Sequence, residues 1–253
     1  MKKIIKNLIK KLGYKVVKDD GVIYDIDYTP EFISEFEAIE PNTATSIERM
    51  YALKEAVKYV ISNNIGGDFV ECGVWKGGSC MMIANTLIQS NQKNRLLWLY
   101  DTFDGMTEPT NEDIVKETGI RAKDLLKDSV EKTTDKYNIW AYAPEELVRN
   151  NLKLTLYPSE YIKYIKGKVE ETLPVTKPES IALLRLDTDW YESTKVEMDE
   201  LYPLITKGGI LIIDDYGHFE GAKKAIDEYF KGIDEQPLMH RIDYTGRMII
   251  KKS

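Results

Sequence analysis

Apolar residues follow two periods that alternate along most of this chain. Near-continuous apolar runs, "DFVECGV", "RLLWLYD", "YIKYIKG", "SIALLRLD" and "GGILIIDD", recur from Gly67 onward. Between them, near 78–90, 144–152, 191–205 and 219–231, apolar positions repeat every three or four residues. Runs without polar interruption are strands covered on both faces, and strand–helix alternation builds a parallel sheet between helix layers. The pattern therefore predicts a doubly wound α/β fold. Two last strand-like pieces, "PLMHRID" and "RMIIKK", flank "YTG", a hairpin signal, so the mostly parallel sheet should end in an antiparallel C-terminal edge hairpin.

Ahead of the alternating region, "TSIERMYALKEAVKYVISNN" repeats Ile47, Met50, Leu53, Val57, Val60 and Ile61 at helical spacing. Thr45 and Glu48 have the spacing of a capping box, which starts the main domain, 45–253, at that point. Residues 1–44 then form an N-terminal segment. Its first part, "MKKIIKNLIKKLGYKVVK", puts Ile4, Ile5, Leu8, Ile9 and Leu12 on one face of a short basic helix. Docking of residues 2–12 on the domain itself or on a second subunit of a homo-oligomer is the first reading; peripheral contact with an anionic membrane is the other. Residues 14–44, broken by Pro30 and Pro41, read as a connector with one short helix. One later connection, 102–143, is too long for a plain crossover. It reads as a lid with Tyr137, Trp140 and Tyr142 beneath it, or as a helical excursion on the outer face.

Composition narrows the function. With 253 residues and 43% hydrophobic content the chain fits one sizeable core, and a formal charge of −7 gives it no electrostatic attraction to nucleic acid. Cys72 and Cys80 match neither a zinc nor a disulfide spacing, and are expected as packed thiols in a reducing cytoplasm. No apolar stretch is long enough to span a bilayer, and the N-terminus lacks the features of a signal peptide. The expected location is cytoplasmic, with the inner membrane surface open through the basic helix.

In open parallel sheets ligands bind beyond the C-terminal strand ends. The first strand runs through Glu71, Gly73, Gly77 and Ser79 into a helix, where glycines admit a ligand and free N–H groups meet an anionic end. This is not the G-x-G-x-x-G turn of nicotinamide sites; it resembles the acidic, glycine-containing turn of S-adenosylmethionine (SAM) methyltransferases. Asp101 ends the second strand, where a carboxylate can accept both hydroxyls of a ribose. After the third, Val169 is positioned to line an adenine slot and Glu170 to reach its exocyclic amine.

The fourth strand ends at Asp187, with Asp189 two residues on, and the fifth ends at Asp214 and Asp215. Neighbouring strands would bring these acids to one rim, where they repel unless a cation intervenes. Arg185 is the nearest base, but strand alternation does not settle which face it takes. An all-oxygen set without a His or Cys cluster favours Mg²⁺, Ca²⁺ or Mn²⁺ over zinc.

Four motifs, "GDFVECGVWKGGS", "YDTFDGM", "LLRLDTDWYEST" and "GGILIIDDYGHFEGAKKAIDEYF", together resemble the macrocin O-methyltransferase (TylF-like) family over roughly residues 45–231. The resemblance implies a Rossmann-like SAM methyltransferase fold and metal-dependent methylation of a sugar or glycan hydroxyl. By it Asp187, Asp214 and Asp215 would hold Mg²⁺, Asp189 would be the general base, and the Glu71-to-Ser79 turn with Asp101 would hold SAM. His218, following the Asp pair on the same rim, is the rival base. Trp190 and Tyr191 are expected to wall the acceptor pocket. Two other readings stay open. Tyr164 and Lys168 give the Y-x-x-x-K spacing of a short-chain dehydrogenase, although Gly167 and the strand pattern argue against a shared helical face; the second is a non-catalytic SAM-binding module.

Overall fold

The computed structural model describes residues 27–128, 132–135, 138–233 and 236–252. Met1–Ile33 and Ser34–Ser253 are two compact units, and the basic stripe at 2–12 lies outside the described residues. Helix α1 (Pro30–Ile39) is the connector's expected short helix. Helix α2 (Ile47–Ser62) buries Met50, Leu53, Val57 and Val60, the stripe that predicted it. Its cap is shifted from the expected box: the Ser46 hydroxyl accepts the Arg49 N–H at 3.2 Å. The Thr45 hydroxyl accepts instead from the Arg185 guanidinium at 2.9 Å. A buried cation has no water to turn to, so it claims an acceptor that a helix end can replace.

The alternating region follows in chain order: β1 (Asp68–Cys72), α3 (Gly78–Gln89), β2 (Leu97–Asp101), α4 (Ala122–Asp128), α5 (Glu145–Lys153), β3 (Ile162–Lys166), α6 (Val169–Thr172), β4 (Ile181–Leu186), α7 (Tyr191–Leu201), β5 (Ile205–Ile213), α8 (Glu220–Gly232), β6 (His240–Arg241) and β7 (Arg247–Ile250). Helix α7 stops short of the expected 205 because Pro203 cannot continue it, and a 3-10 turn, Tyr202–Leu204, leads into β5. The sheet order is β3-β2-β1-β4-β5-β7-β6. Strands β1 to β5 pair in parallel, whereas β7 runs antiparallel to β5 and β6. All six residues of β4 are buried, as a strand with neighbours and helix layers on every side requires.

Chain order reverses between β1 and β4, which opens a crevice at their C-terminal ends. Register then decides what meets there. Cys72 aligns with Leu186 and Leu186 with Ile213, so Gly73, Asp187 and Asp214 leave the sheet side by side. The long connection after β2 does not float above this rim. Val115, Ala122 and Leu126 form a second apolar cluster with Trp190, Phe219 and Ala222, against which Met106 and Trp140 pack. Tyr137 lies outside the described residues.

Candidate functional site

A single cavity of about 320 Å³ follows the C-terminal ends of β1, β2, β4 and β5, within the size range of small-molecule sites. Gly73, at φ +80°, lines it, and a Cβ there would fall 1.9 Å from the Asp187 carbonyl oxygen. Only glycine admits that contact. Gly78, in the same glycine turn, also lines the cavity, close enough to the Asn42 carbonyl that a Cβ would lie 2.6 Å from it. Gly77 takes φ +87° as the residue before α3, and its open side faces Val148 rather than the cavity.

Glu71 is not a cavity residue. It is 1% exposed and accepts from the Ser79 hydroxyl, the Cys80 thiol and, at 2.6 Å, the Arg185 guanidinium. The buried guanidinium and α3 draw it inward, so it braces the turn from below. Ser79 lines the cavity but spends its proton on Glu71. Both cysteines are buried and free, as expected.

Asp101 does line the cavity, yet much of its capacity is already used. One carboxylate oxygen accepts the Val74 and Trp75 N–H groups at 2.7 and 3.0 Å, and the other accepts Phe103 N–H at 2.6 Å. It shapes the β1 turn and retains lone pairs for a ligand. Burial raises its pKa against those hydrogen bonds. Val169 and Glu170 line the same cavity. Two polar atoms nearby, Glu170 Oε2 and Trp75 Nε1, are buried without a protein partner, and so fit polar groups of a ligand.

At the other end, Asp187, Asp214 and Asp215 each place one oxygen within 4.8 Å of the others. They are not without basic partners, contrary to the argument that first suggested a metal. Arg185 turns toward them, donating to Asp187 at 2.7 Å and to Asp214 at 2.6 Å. Arg49, which the sequence reading missed, binds the second oxygen of Asp214 and reaches Asp243 at 3.0 Å. Only the length of two arginines and contacts distant in sequence made this pairing. Asp215 receives no guanidinium, and its Oδ2 is buried with no partner. Burial, then the neighbouring Asp189, push its pKa far up. The hard oxygens of Asp187 and Asp215, with one orphaned, fit a divalent cation of the Mg²⁺ type; both oxygens of Asp214 are already engaged, so it anchors the rim more than it offers a ligand.

Asp189 does not continue β4. It sits at φ +66°, a strained conformation for a non-glycine residue, and lines the cavity beside Asp215. Burial lifts its carboxyl to about 7, opposed by a hydrogen bond with Asp215. His218 lines the cavity too, its pKa lowered by burial and then by Arg49. Trp190 and Tyr191 do not wall the pocket as expected. Trp190 is buried in the second cluster, and the Tyr191 hydroxyl donates to Glu228 at 2.8 Å. Their place is taken by Met106 and Thr107 of the long connection and by Phe219 and Tyr244.

A buried acid outside the cavity fixes that connection. Asp113, 0% exposed, accepts Tyr191 N–H at the start of α7 at 2.7 Å and Thr110 N–H at 2.6 Å. Gly221 at the start of α8 makes room for it, since a Cβ there would lie 2.0 Å from its carboxylate.

Known proteins resemble this chain in sequence and fold. A demethyldecarbamoylnovobiocin O-methyltransferase of Streptomyces niveus is 32% identical over 205 residues, 81% of this chain and 74% of the relative. A tetracenomycin 4'-O-methyltransferase of Streptomyces olivaceus acting on an 8-demethyl-8-(2,3-dimethoxy-alpha-L-rhamnosyl) compound is 28% identical over 248 residues, 97% of this chain and 88% of its own. The solved structure of the O-methyltransferase NovP superposes with a TM-score of 0.71 at 30% identity, covering 84% of this chain and 83% of that one. Residues 40–251 match the Macrocin-O-methyltransferase (TylF) family model. With its glycine turn at β1 and its acids at β4 and β5 in one cavity, the chain belongs to the macrocin O-methyltransferase family.

Proposed function

We propose that the protein transfers a methyl group from SAM to a hydroxyl of a sugar, with Mg²⁺ at the acid rim. The observation that carries this is the continuity of the cavity from the Gly73 turn to Asp189 and Asp215. The names of the antibiotic-sugar methyltransferases among its relatives support the acceptor class. The turn from Gly73 to Gly78 would take the methionyl end, Asp101 the ribose, and Val169 with the unpartnered Glu170 the adenine. SAM would supply an electrophilic methyl group, and Mg²⁺, which Asp187 and Asp215 would hold with Asp214 behind them, would supply the Lewis acidity that a sugar hydroxyl needs to act as a nucleophile at neutral pH.

The chain's own residues do the rest. Asp189, held close to Asp215, takes the hydroxyl proton at a carboxylate oxygen. His218, its pKa lowered by burial and by Arg49, is the second candidate for that proton. Residues of the 102–143 connection close the cavity at Met106 and Thr107 and keep water from the transferred methyl. The dehydrogenase reading fails on geometry: Tyr164 lies in β3 with the Arg149 guanidinium 3.8 Å from its ring centre, and Lys168 caps α6, so no helix face joins them. A non-catalytic module gives no reason for Asp189 and the unpartnered Asp215 Oδ2 at the cavity.

Incubation with methyl-labelled SAM, nucleotide sugars and glycosides, with and without EDTA, tests the proposal. Label in a sugar fraction that EDTA abolishes and Mg²⁺ restores is expected. Transfer unaffected by EDTA overturns the metal, and label in no sugar overturns the acceptor class.

A further inference from the structure

The turn between β6 and β7 carries chemistry that a hairpin turn does not need. Tyr244 is 58% exposed and lines the same cavity as Asp189, Asp215 and His218. Large aromatic rings at turn tips are ordinarily free to swing. This one stands on a backbone fixed from several sides. One oxygen of Asp243 accepts the N–H groups of Thr245 and Gly246 at 2.9 and 2.6 Å. The other accepts from the Ser46 hydroxyl at 2.8 Å and the Arg49 guanidinium at 3.0 Å. The Thr245 hydroxyl donates to the Asp214 carbonyl at 2.7 Å, and Gly217 N–H donates to the Thr245 carbonyl at 2.9 Å. Gly217 is a close approach: a Cβ there would fall 2.1 Å from the Tyr244 carbonyl oxygen.

The turn is thus tied to the acid rim, and through Ser46 and Arg49 to α2. We propose that the face of Tyr244 is the platform on which the acceptor's pyranose ring stacks, making it a specificity-determining residue. The His218 ring stands at 86° to it with centres 6.1 Å apart, so the two rings form a corner at the cavity mouth. A flat-faced ring resting on one wall meets the other with its edge. A tyrosine whose backbone is already fixed offers a large amphipathic surface at little entropic cost. The ligand that suits it has contiguous C–H groups on one face and hydroxyls at its rim, as a hexopyranoside has. This rests on the sugar-methylating reading above and specifies its acceptor.

The test is saturation-transfer NMR on methyl hexopyranosides, with S-adenosylhomocysteine bound, for the wild-type protein, Tyr244→Ala and Tyr244→Phe. The pyranoside dissociation constant should rise about tenfold or more in Tyr244→Ala, as for loss of a central aromatic contact, and stay within about threefold in Tyr244→Phe. S-adenosylhomocysteine affinity and melting temperature should be the same in all three, which separates contact with the sugar from support of the fold. Equal pyranoside binding by Tyr244→Ala and wild type overturns the inference and leaves methyl transfer to sugars standing. No pyranoside signal from a wild-type protein that binds S-adenosylhomocysteine overturns both this inference and the sugar class, and failure to bind S-adenosylhomocysteine overturns the methyltransferase reading itself.

Discussion

Arg185 and Asp187, two residues apart in sequence, bond to each other at 2.7 Å across the end of β4, and the same guanidinium nitrogen reaches back to Glu71 at 2.6 Å. One buried cation therefore braces the β1 turn and the acid rim together. Replacing Arg185 by Met strands Glu71, Asp187 and Asp214. We expect a loss of about 3–5 kcal/mol, typical of breaking a buried ion pair on one side, read by chemical denaturation. Arg185→Lys should recover part of this, because an ammonium cannot span the same acceptors.

Asp214 and Asp215 adjoin in sequence but should fail differently. Asp214→Asn weakens contacts to both Arg185 and Arg49 and should lower the melting temperature by several degrees, at about 2–4 °C per kcal/mol for a domain of this size. Asp215→Asn removes a carboxylate whose ionisation burial already opposes, so stability should hold or rise. Its cost should fall on the metal, as a higher Mg²⁺ requirement for transfer. Parallel melts and Mg²⁺ titrations check both.

The identity of the base is decided by Asp189→Asn and His218→Ala. The first should lower kcat by roughly 10²–10⁴, the usual contribution of a positioned base, with SAM affinity retained. The second should be the milder. A nearly fully active Asp189→Asn beside a dead His218→Ala would reverse the assignment.

For Asp101→Ala two losses are expected at once. Each charge-assisted hydrogen bond to the ribose contributes about 1.5–3 kcal/mol before water compensates, so calorimetric SAM affinity should fall. Because the same carboxylate holds the Val74, Trp75 and Phe103 amides, the melting temperature should fall too, even without cofactor.

Asp113→Ala leaves the Tyr191 amide without its buried acceptor and frees the long connection from α7. Limited proteolysis between 102 and 121 should accelerate. Acceptor KM should rise more than SAM affinity falls, since Met106 and Thr107 are carried on that segment.

The sheet was legible because each strand's burial is written in its own run of residues, and parallel pairing carried Asp187 and Asp214 to one rim without further information. What could not be read there depends on partners far along the chain. Thr45 was given to a helix cap, but its partner, Arg185, is 140 positions away. Nothing in the residues around Asp113 marks it, because its partner Tyr191 lies 78 positions on. Trp190 and Tyr191 were assigned to the pocket by proximity to Asp189, whereas Trp190 packs into the second apolar cluster and Tyr191 bonds to Glu228 on α8. Glu71 was placed on the ligand by motif, and a guanidinium beneath it drew it down. For Thr45, Asp113 and Glu71, local pattern fixed the backbone while a buried charge and its distant partner fixed the side-chain contacts.

The contact of Gly73 with the Asp187 carbonyl sets a length. With no side chain between them, main chain alone determines how far the cofactor turn stands from the acid rim. Substitutions around the cavity can change which acceptor enters and how it is held, but they cannot lengthen that gap. On the proposed reading, the reach from methyl donor to acceptor oxygen would thus be a dimension of the sheet itself, which side-chain changes at the cavity mouth leave alone.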